Sequence, residues 1–258
     1  MVINMTGCIL EIQAGLNEIQ IAEMSCRMFL PKSYDVGAER YPVIYINGEI
    51  AEEVLEELEK AEIAADFILL SIKPESWNDD FTPWSAPAFR KGEAPPQGRA
   101  KEYLLRLSEE IKPYMDKNYR TMPDPQHTIL LGYSLGGLAA LYSLYVTDRF
   151  GWVGSLSGSL WYDGFCEFME KEKPLRRDVK VYLSLGNKER LSRNPRMGKV
   201  AECTGRAKEI LTDQLAGAGG AGCDLAGSVR FEWNEGGHFH ETSKRFAKAI
   251  AWWKGMNI

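Results

Sequence analysis

The sequence predicts an α/β fold: a mostly parallel central sheet with helices on both faces and antiparallel strands at the N-terminal end. Three observations predict it. Short apolar, β-branched runs alternate with amphipathic stretches of helical period along most of the chain. Residues 128–141, TILLGYSLGGLAAL, switch from a strand-like to a helix-like period around one serine. The length of 258 residues and the ordinary hydrophobic share fit one large domain, residues 1–258, without requiring two.

The elements follow in order. Residues 7–30 hold two antiparallel strands, with Ile9, Ile12, Ile19 and Ile21 as β-branched content and Cys26 to Leu30 ahead of Pro31. Tyr41 to Ile46 is a compact apolar strand that ends at Asn47-Gly48. A helix runs from about Ala51 to Ala64, and its glutamates 52, 53, 56, 57 and 59 form a solvated face. Phe67 to Ile72 is a buried strand. Residues 73–98 are irregular and rich in Pro and Trp, and a loop of that length in a compact domain usually serves function. A helix over 100–117 packs Tyr103, Leu104, Leu107, Ile111 and Tyr114 as one stripe. Then come a strand at 128–133 with its helix at 135–147, strands at 152–157 and 179–185, and a helix at 198–215. The small, Gly-rich residues 216–222 read as a mobile surface loop. A strand at 228–233 and a helix at 241–254 close the chain. Neither an internal repeat nor an interdomain linker is visible.

Composition excludes several classes. The net charge is −5 with both signs interspersed, so no basic face points to nucleic acid. Cys8, Cys26, Cys166, Cys203 and Cys223 are scattered and odd in number, which argues for free thiols rather than disulfides or zinc. The N-terminus lacks the pattern of a signal peptide, and no apolar run spans a bilayer. A cytoplasmic protein with no metal and no organic cofactor is expected; the oligomeric state is not legible.

The chemistry centres on Gly132-Tyr133-Ser134-Leu135-Gly136. A strand, a sharp turn and a helix with serine at the apex make a nucleophile elbow, in which side chains at 132 and 136 would collide with the neighbouring helix and strand. The helix N-terminus beside Ser134 favours developing negative charge. A serine needs a base. His127 precedes the 128–133 strand whereas Ser134 follows it, and six residues of strand separate them by roughly 20 Å. His238, after Gly236-Gly237 and the last strand, lies at the same sheet edge as Ser134. His240 is its competitor, and the Gly-Gly turn favours His238. The acid that holds the imidazole is Glu189, in Gly186-Asn187-Lys188-Glu189 at the end of the 179–185 strand. Asp163 is the rival, Asp178 stands at the wrong end of the strand, and Asp213 and Asp224 are more remote. The oxyanion donors are the Leu135 N–H and one from the turn at Gly48 or Glu49, each stabilising a tetrahedral adduct by about 3 kcal/mol. This set implies acyl transfer, with Ser134 attacking a carbonyl and water releasing the acid from an acyl-enzyme.

These residues resemble a known family. Gly132 to Leu138 looks like the elbow of the putative-esterase group of α/β-hydrolases. Ser157-Gly158-Ser159-Leu160-Trp161-Tyr162, Gly186 to Glu189 followed by Arg193-Asn194, and Gly236-Gly237-His238 resemble its enterobactin-esterase-like branch, whose members hydrolyse ferric siderophore trilactones. The similarity runs from about residue 24 to the C-terminus. It implies an α/β-hydrolase fold with Ser134 and His238 at the catalytic positions. Some members of the branch work with serine and histidine alone, so the resemblance leaves the acid open. Departures stand at Asn47-Gly48, where the family has Asp-Gly, and at Phe81, where it has Tyr. Siderophore-binding members carry pocket arginines that answer a triply anionic ligand, while here residues 73–99 offer Lys73, Arg90, Lys91 and Arg99.

Trp84, Trp161 and Arg90 are the expected substrate-binding residues, and Trp77 and Trp233 could join an aromatic-acyl pocket or simply pack in the core. The expected function is a serine esterase acting on a small-molecule ester, of siderophore type or another aromatic or short acyl kind. An acyltransferase, a thioester hydrolase such as S-formylglutathione hydrolase, and a non-catalytic binder on a hydrolase scaffold are the alternatives.

Overall fold

The computed structural model describes residues 2–3, 9–10, 14–63, 66–216 and 228–256. Strands β1 (Val2–Ile3) and β2 (Ile9–Leu10) form a small antiparallel pair. The main sheet contains β3 (Gly15–Ile21), β4 (Met24–Leu30), β5 (Val43–Asn47), β6 (Ile68–Ile72), β7 (Thr128–Tyr133), β8 (Trp152–Leu156), β9 (Lys180–Gly186) and β10 (Val229–Asn234). Its order is β10-β9-β8-β7-β5-β6-β4-β3. The six strands β5 to β10 are parallel, and β4 and β3 run antiparallel at one edge. The mixed sheet with an antiparallel N-terminal hairpin is the architecture expected. Ile12, Cys8, Cys223, Asp224 and the Gly-rich 217–222 lie outside the described residues.

Helices cover both faces because strand residues alternate. Val43 and Tyr45 of β5 face one layer, packed with Leu104 of α3 (Ala100–Arg106), Leu138 of α5 (Leu135–Tyr142) and Leu211 of α7 (Val200–Leu215). Ile44 and Ile46 face the other, with Leu58 of α1 (Glu52–Lys60) and Ile250 of α8 (Thr242–Trp253). Each such side chain contributes about 1.5–3 kcal/mol by leaving water. The 100–117 helix is one rod interrupted by a π-turn at Leu107–Ile111 before α4 (Lys112–Asn118).

Two helix ends and two short helices differ from expectation. α1 stops at Lys60 because Glu62 takes φ 56°, and the Ile63 N–H closes onto Leu58 O at 2.8 Å in a Schellman-type end. α5 ends at Tyr142 and passes into a 3₁₀ turn at Ser143–Tyr145. The seven-residue α6 (Phe165–Lys171) fills a stretch where no element was expected, and a short α2 (Trp77–Asp80) sits inside the 73–98 segment. Among the described residues no helix is long and apolar enough to cross a membrane.

The β7–α5 turn is held by close backbone approach. A Cβ at Gly132 would stand 2.0 Å from Gly136 O, and one at Gly136 would stand 2.8 Å from Asn47 O. Both obstacles are backbone, so they cannot swing aside. Gly205, inside α7, has nothing within 4 Å of its would-be Cβ. Urea unfolding should therefore separate two substitutions of the same chemistry. Gly132→Ala should destabilise by about 1–3 kcal/mol, while Gly205→Ala should stabilise by about 0.5–1 kcal/mol; similar effects at both positions would contradict the close approach.

Candidate active site

Ser134 ends β7 and begins α5 with φ 58° and ψ −120°. A non-glycine residue in such a conformation costs about 1–3 kcal/mol and persists only where neighbours enforce it. The Ser134 N–H donates to Leu156 O at 3.1 Å, and its carbonyl accepts from Leu138 N–H at 3.1 Å and Ser159 N–H at 2.9 Å. The Ser134 Oγ then stands 3.0 Å from His238 Nε2 and 3.4 Å from Ser159 Oγ. His238 Nδ1 is 2.7 Å from Glu189 Oε2. The three side chains leave from the carboxyl ends of β7, β10 and β9. In a parallel sheet those ends share one edge.

Backbone stitching sets the facing of Glu189 and His238. Asn187 N–H donates to Asn234 O at 2.8 Å, Lys188 N–H to Gly236 O at 3.0 Å, and Gly236 N–H to Asn187 Oδ1 at 3.1 Å. The parallel register between β9 and β10 thus continues past both strand ends into the two loops. The Tyr133 hydroxyl donates to His238 O, which pins the histidine backbone to the strand that carries the serine.

Glu189 is buried, its side chain 3% exposed. Its second oxygen, Oε1, accepts from Ser157 Oγ at 2.7 Å, Gly186 N–H at 2.7 Å and Arg245 Nη1 at 2.9 Å. Burial pushes the Glu189 carboxyl up. The hydrogen bonds from His238, Ser157 and Gly186 and the charge of His238 outweigh it and hold the group below the ordinary 4.5. An ionised Glu189 accepts a hydrogen bond from Nδ1–H, leaving Nε2 with a lone pair toward the Ser134 hydroxyl.

The rival groups are elsewhere. His127 precedes β7 at the opposite sheet edge, 2.8 Å from Asp124. His240 is exposed, with Nδ1 3.8 Å from Glu241. Asp163 is bound to Arg196, and Asp178 to Arg176 at the amino end of β9. Asp213 lies exposed on α7.

Two expected site residues are corrected. The Gly48 N–H does not face an oxyanion: it donates to Ile72 O at 2.9 Å, extending the β5–β6 ladder by one residue. The next N–H, of Glu49, makes no hydrogen bond among the described residues, and neither does the Leu135 N–H at the start of α5. Trp84 does not line the pocket. Its indole packs against Phe168 at 5.4 Å, Tyr162 at 6.2 Å and Phe165 at 6.4 Å, and its Nε1–H donates to Asp163 O.

The serine opens into a cavity of about 480 Å³ walled by Trp77, Phe89, Arg90, Trp161, Met197 and Phe239. Of the residues expected to bind substrate, Trp161 and Arg90 are thus among the cavity walls. Trp233 is not, being exposed on β10 against Phe231. Phe89 meets Trp161 edge to face at 5.7 Å, and the Arg196 guanidinium lies 5.8 Å and 5.5 Å from their ring centres. Arg196 Nη1 also donates to Pro87 O and Ala88 O, so it straps the 73–98 segment to the wall carrying Asp163. Arg90 faces Glu93 at 3.8 Å. A larger, more open groove of about 1050 Å³ lies at the other sheet edge near His127 and Asp178, far from Ser134.

Sequence reasoning missed Arg245, Ser157, Phe89 and Phe239. Arg245 carries one signal, since helical spacing puts it on the apolar stripe with Phe246, Ala249 and Ile250.

The sheet, the helices on both faces and the serine at the β7–α5 turn define an α/β-hydrolase type of fold, and the family match makes its class that of the ester-hydrolysing serine hydrolases. The chain belongs to the family described as "Putative esterase", whose model matches residues 20–238. It is 27% identical over 184 residues to the uncharacterized protein YbbA of Bacillus subtilis (strain 168), covering 69% of this chain and 74% of that protein. Among solved structures it is similar to an IroE-like serine hydrolase from Shewanella oneidensis. That TM-score is 0.71 at 18% identity, over 91% of this chain and 78% of the other. It is similar also to the siderophore hydrolase EstA from Aspergillus nidulans, with TM-score 0.65 at 18% identity over 96% and 98% of the two chains. At these identities the structural likeness is one of fold.

The buried carboxylate makes stability depend on pH with a definite sign. The folded value of Glu189 lies below the ordinary 4.5, so its contribution is present above that pH and is lost as pH falls through the folded value. Urea unfolding of wild type and Glu189→Gln between about pH 3 and pH 6 should show the variant less stable at the upper end, with the gap narrowing on acidification. A gap independent of pH would contradict an ionised Glu189.

Proposed function

We propose that the chain hydrolyses carboxylic esters through an acyl-enzyme on Ser134, with His238 as the base and Glu189 as the acid that orients it. The observation that carries this reading is the continuous contact from Ser134 Oγ to His238 Nε2 at 3.0 Å and from His238 Nδ1 to Glu189 at 2.7 Å. The strained serine at the head of α5 supports reading residues 132–136 as a nucleophile elbow. One sheet running from Gly15 to Asn234 supports reading the chain as a single catalytic domain. The free thiols of Cys26, Cys166 and Cys203 support a cytoplasmic setting.

In this mechanism His238 Nε2 takes the hydroxyl proton as Ser134 Oγ bonds to the ester carbonyl carbon. The carbonyl oxygen becomes anionic and is met by the Leu135 N–H, which contributes about 3 kcal/mol; the Glu49 N–H, in the turn after β5, is the candidate for a second donor. The adduct collapses, the alcohol leaves with the proton from His238, and the acyl group stays on Ser134. Water, deprotonated by the same imidazole, then attacks the acyl-enzyme. Collapse of the second adduct releases the acid and returns the proton to Ser134.

The pocket walls favour an aromatic acyl ester, because Trp77, Phe89, Trp161 and Phe239 offer rings around the serine. A siderophore-type ester is the second reading. The aromatic walls and the likeness to a siderophore hydrolase support it, and the pairing of Arg90 with Glu93 favours its uncharged forms over a triply anionic ferric complex.

A fluorophosphonate probe should label the wild type and not Ser134→Ala. Turnover of p-nitrophenyl esters should fall by about 10⁴-fold or more in Ser134→Ala and His238→Ala, while His127→Ala keeps it. Labelling that survives in Ser134→Ala would overturn the assignment. A panel of aromatic-acyl esters, short acyl esters, thioesters, and iron-free and ferric trilactones should place the aromatic, uncharged esters highest in kcat/KM.

A further inference from the structure

The most buried charged side chain in the described structure is one the proposed mechanism does not use. Arg245, on the first turn of α8, is 1% exposed. Its Nη1 donates to Glu189 Oε1 at 2.9 Å, to the Tyr133 hydroxyl at 3.0 Å and to Ser157 Oγ. Its Nη2 donates to Gly237 O at 2.8 Å and Glu235 O at 3.2 Å. One guanidinium therefore touches the acid itself, the residue before the base and the residue before the nucleophile. A buried cation is costly unless an anion meets it, and the anion here is Glu189.

Resting on the esterase reading, we propose that Arg245 is a positioning residue that neutralises Glu189 in the resting site and so keeps His238 free to act as a base. Glu189 has two cationic neighbours of different kinds. The guanidinium is charged permanently, and the imidazole is charged only while it holds the serine proton. With Arg245 in place, the resting carboxylate already has its counter-charge. Without it, Glu189 either takes up a proton or retains one on His238. Both outcomes deplete the pair of carboxylate and neutral imidazole as pH falls, so both move the acid limb of activity upward. Among the described residues the neighbouring charges are engaged elsewhere or exposed: Lys248 of α8 pairs with Glu232 of β10 at 2.8 Å, and Lys188 and Arg190, on either side of Glu189, are exposed. Tyr133 of β7 and Tyr182 of β9 are held neutral by burial, and the Glu235 carboxylate points to Asn187. Ser157, after β8, is a neutral donor.

The test is the pH profile of kcat/KM on a p-nitrophenyl ester for wild type, R245M, R245K, E189Q and E189Q/R245M, with circular dichroism to confirm folding. R245M should move the acid limb upward by about one pH unit or more, with KM unchanged and the lost turnover in kcat. R245K, which keeps the charge, should return the limb toward wild type. E189Q and E189Q/R245M should have the same kcat/KM within about twofold, because Arg245 acts through Glu189. A folded R245M with the wild-type acid limb would overturn the proposal, and so would losses that multiply in the double variant. If R245M does not fold, E189Q/R245M decides, since it buries no unpaired ion. Turnover that does not depend on Ser134 would overturn the esterase reading and this inference together, whereas the Arg245 outcomes bear on this inference alone.

Discussion

Four segments of chain converge on the Glu189 carboxylate, and its two oxygens are committed to different tasks. Oε1 gathers Ser157 from the end of β8, the Gly186 N–H from the end of β9 and Arg245 from α8. Oε2 is left for His238 alone. A carboxylate this deep is tolerable only when its lone pairs are filled and its charge is met. The consequence reaches beyond the site. Arg245 occupies its position because Phe246, Ala249 and Ile250 on the same stripe of α8 are packed into the core layer under the sheet. The histidine is therefore oriented only once the C-terminal helix has docked, and the chemistry of one edge is tied to the packing of one face.

The serine depends on a second constraint. Its backbone conformation is unfavourable, and the approach of α5 to β5 holds it there. Asn47, the last residue of β5, is central to that approach. Its Nδ2 donates to Gly136 O at 3.0 Å while its Oδ1 accepts from the Tyr103 hydroxyl at 3.0 Å. An ionised aspartate at this position would be an acceptor only and could not satisfy Gly136 O. The amide thus joins the head of α5 to β5 on one side and to α3 on the other. The same strand end is covered by Trp77, whose ring stands 2.8 Å from where a Cβ on Gly48 would be. The wall of the cavity and the seat of the serine share one anchor.

How much of this the amino-acid order reveals depends on the range of the interaction. The strands and most helices are legible because alternation and helical period are local, and the mixed sheet follows from them. The parallel-edge rule also separates His127 from His238 without any contact information. What escapes is decided by side chains from distant segments. Glu189 and Asp163 both follow strands that end at the active edge, and they differ in that Glu189 is buried against His238 whereas Asp163 is exposed and paired with Arg196. Gly48 reads as a turn residue, yet nothing local says that its N–H closes a ladder with Ile72. Trp84 and Trp161 are equally aromatic in sequence; one turns under the 73–98 segment and the other faces the cavity. α6 is too short for its period to stand out, with only Phe165, Cys166 and Met169 buried.

The arginines around the site carry an electrostatic lesson of their own. Arg245 is matched to Glu189, Arg196 to Asp163 and Arg90 to Glu93. The first two are already engaged in building the site, one behind the acid and one behind the Phe89–Trp161 wall. Arg90 is exposed, and its partner at 3.8 Å offsets much of its charge at distances beyond the pair. Counting cations near a pocket therefore overstates its attraction for an anion. Beside the uncharged Asn78, Ser159 and Ser192, the surface left to face a substrate carries the rings of Trp77, Phe89, Trp161 and Phe239, which bind through area and shape rather than charge. A ligand carrying several negative charges would shed its hydration without regaining equivalent partners, whereas an uncharged aromatic ester meets this wall at little desolvation cost.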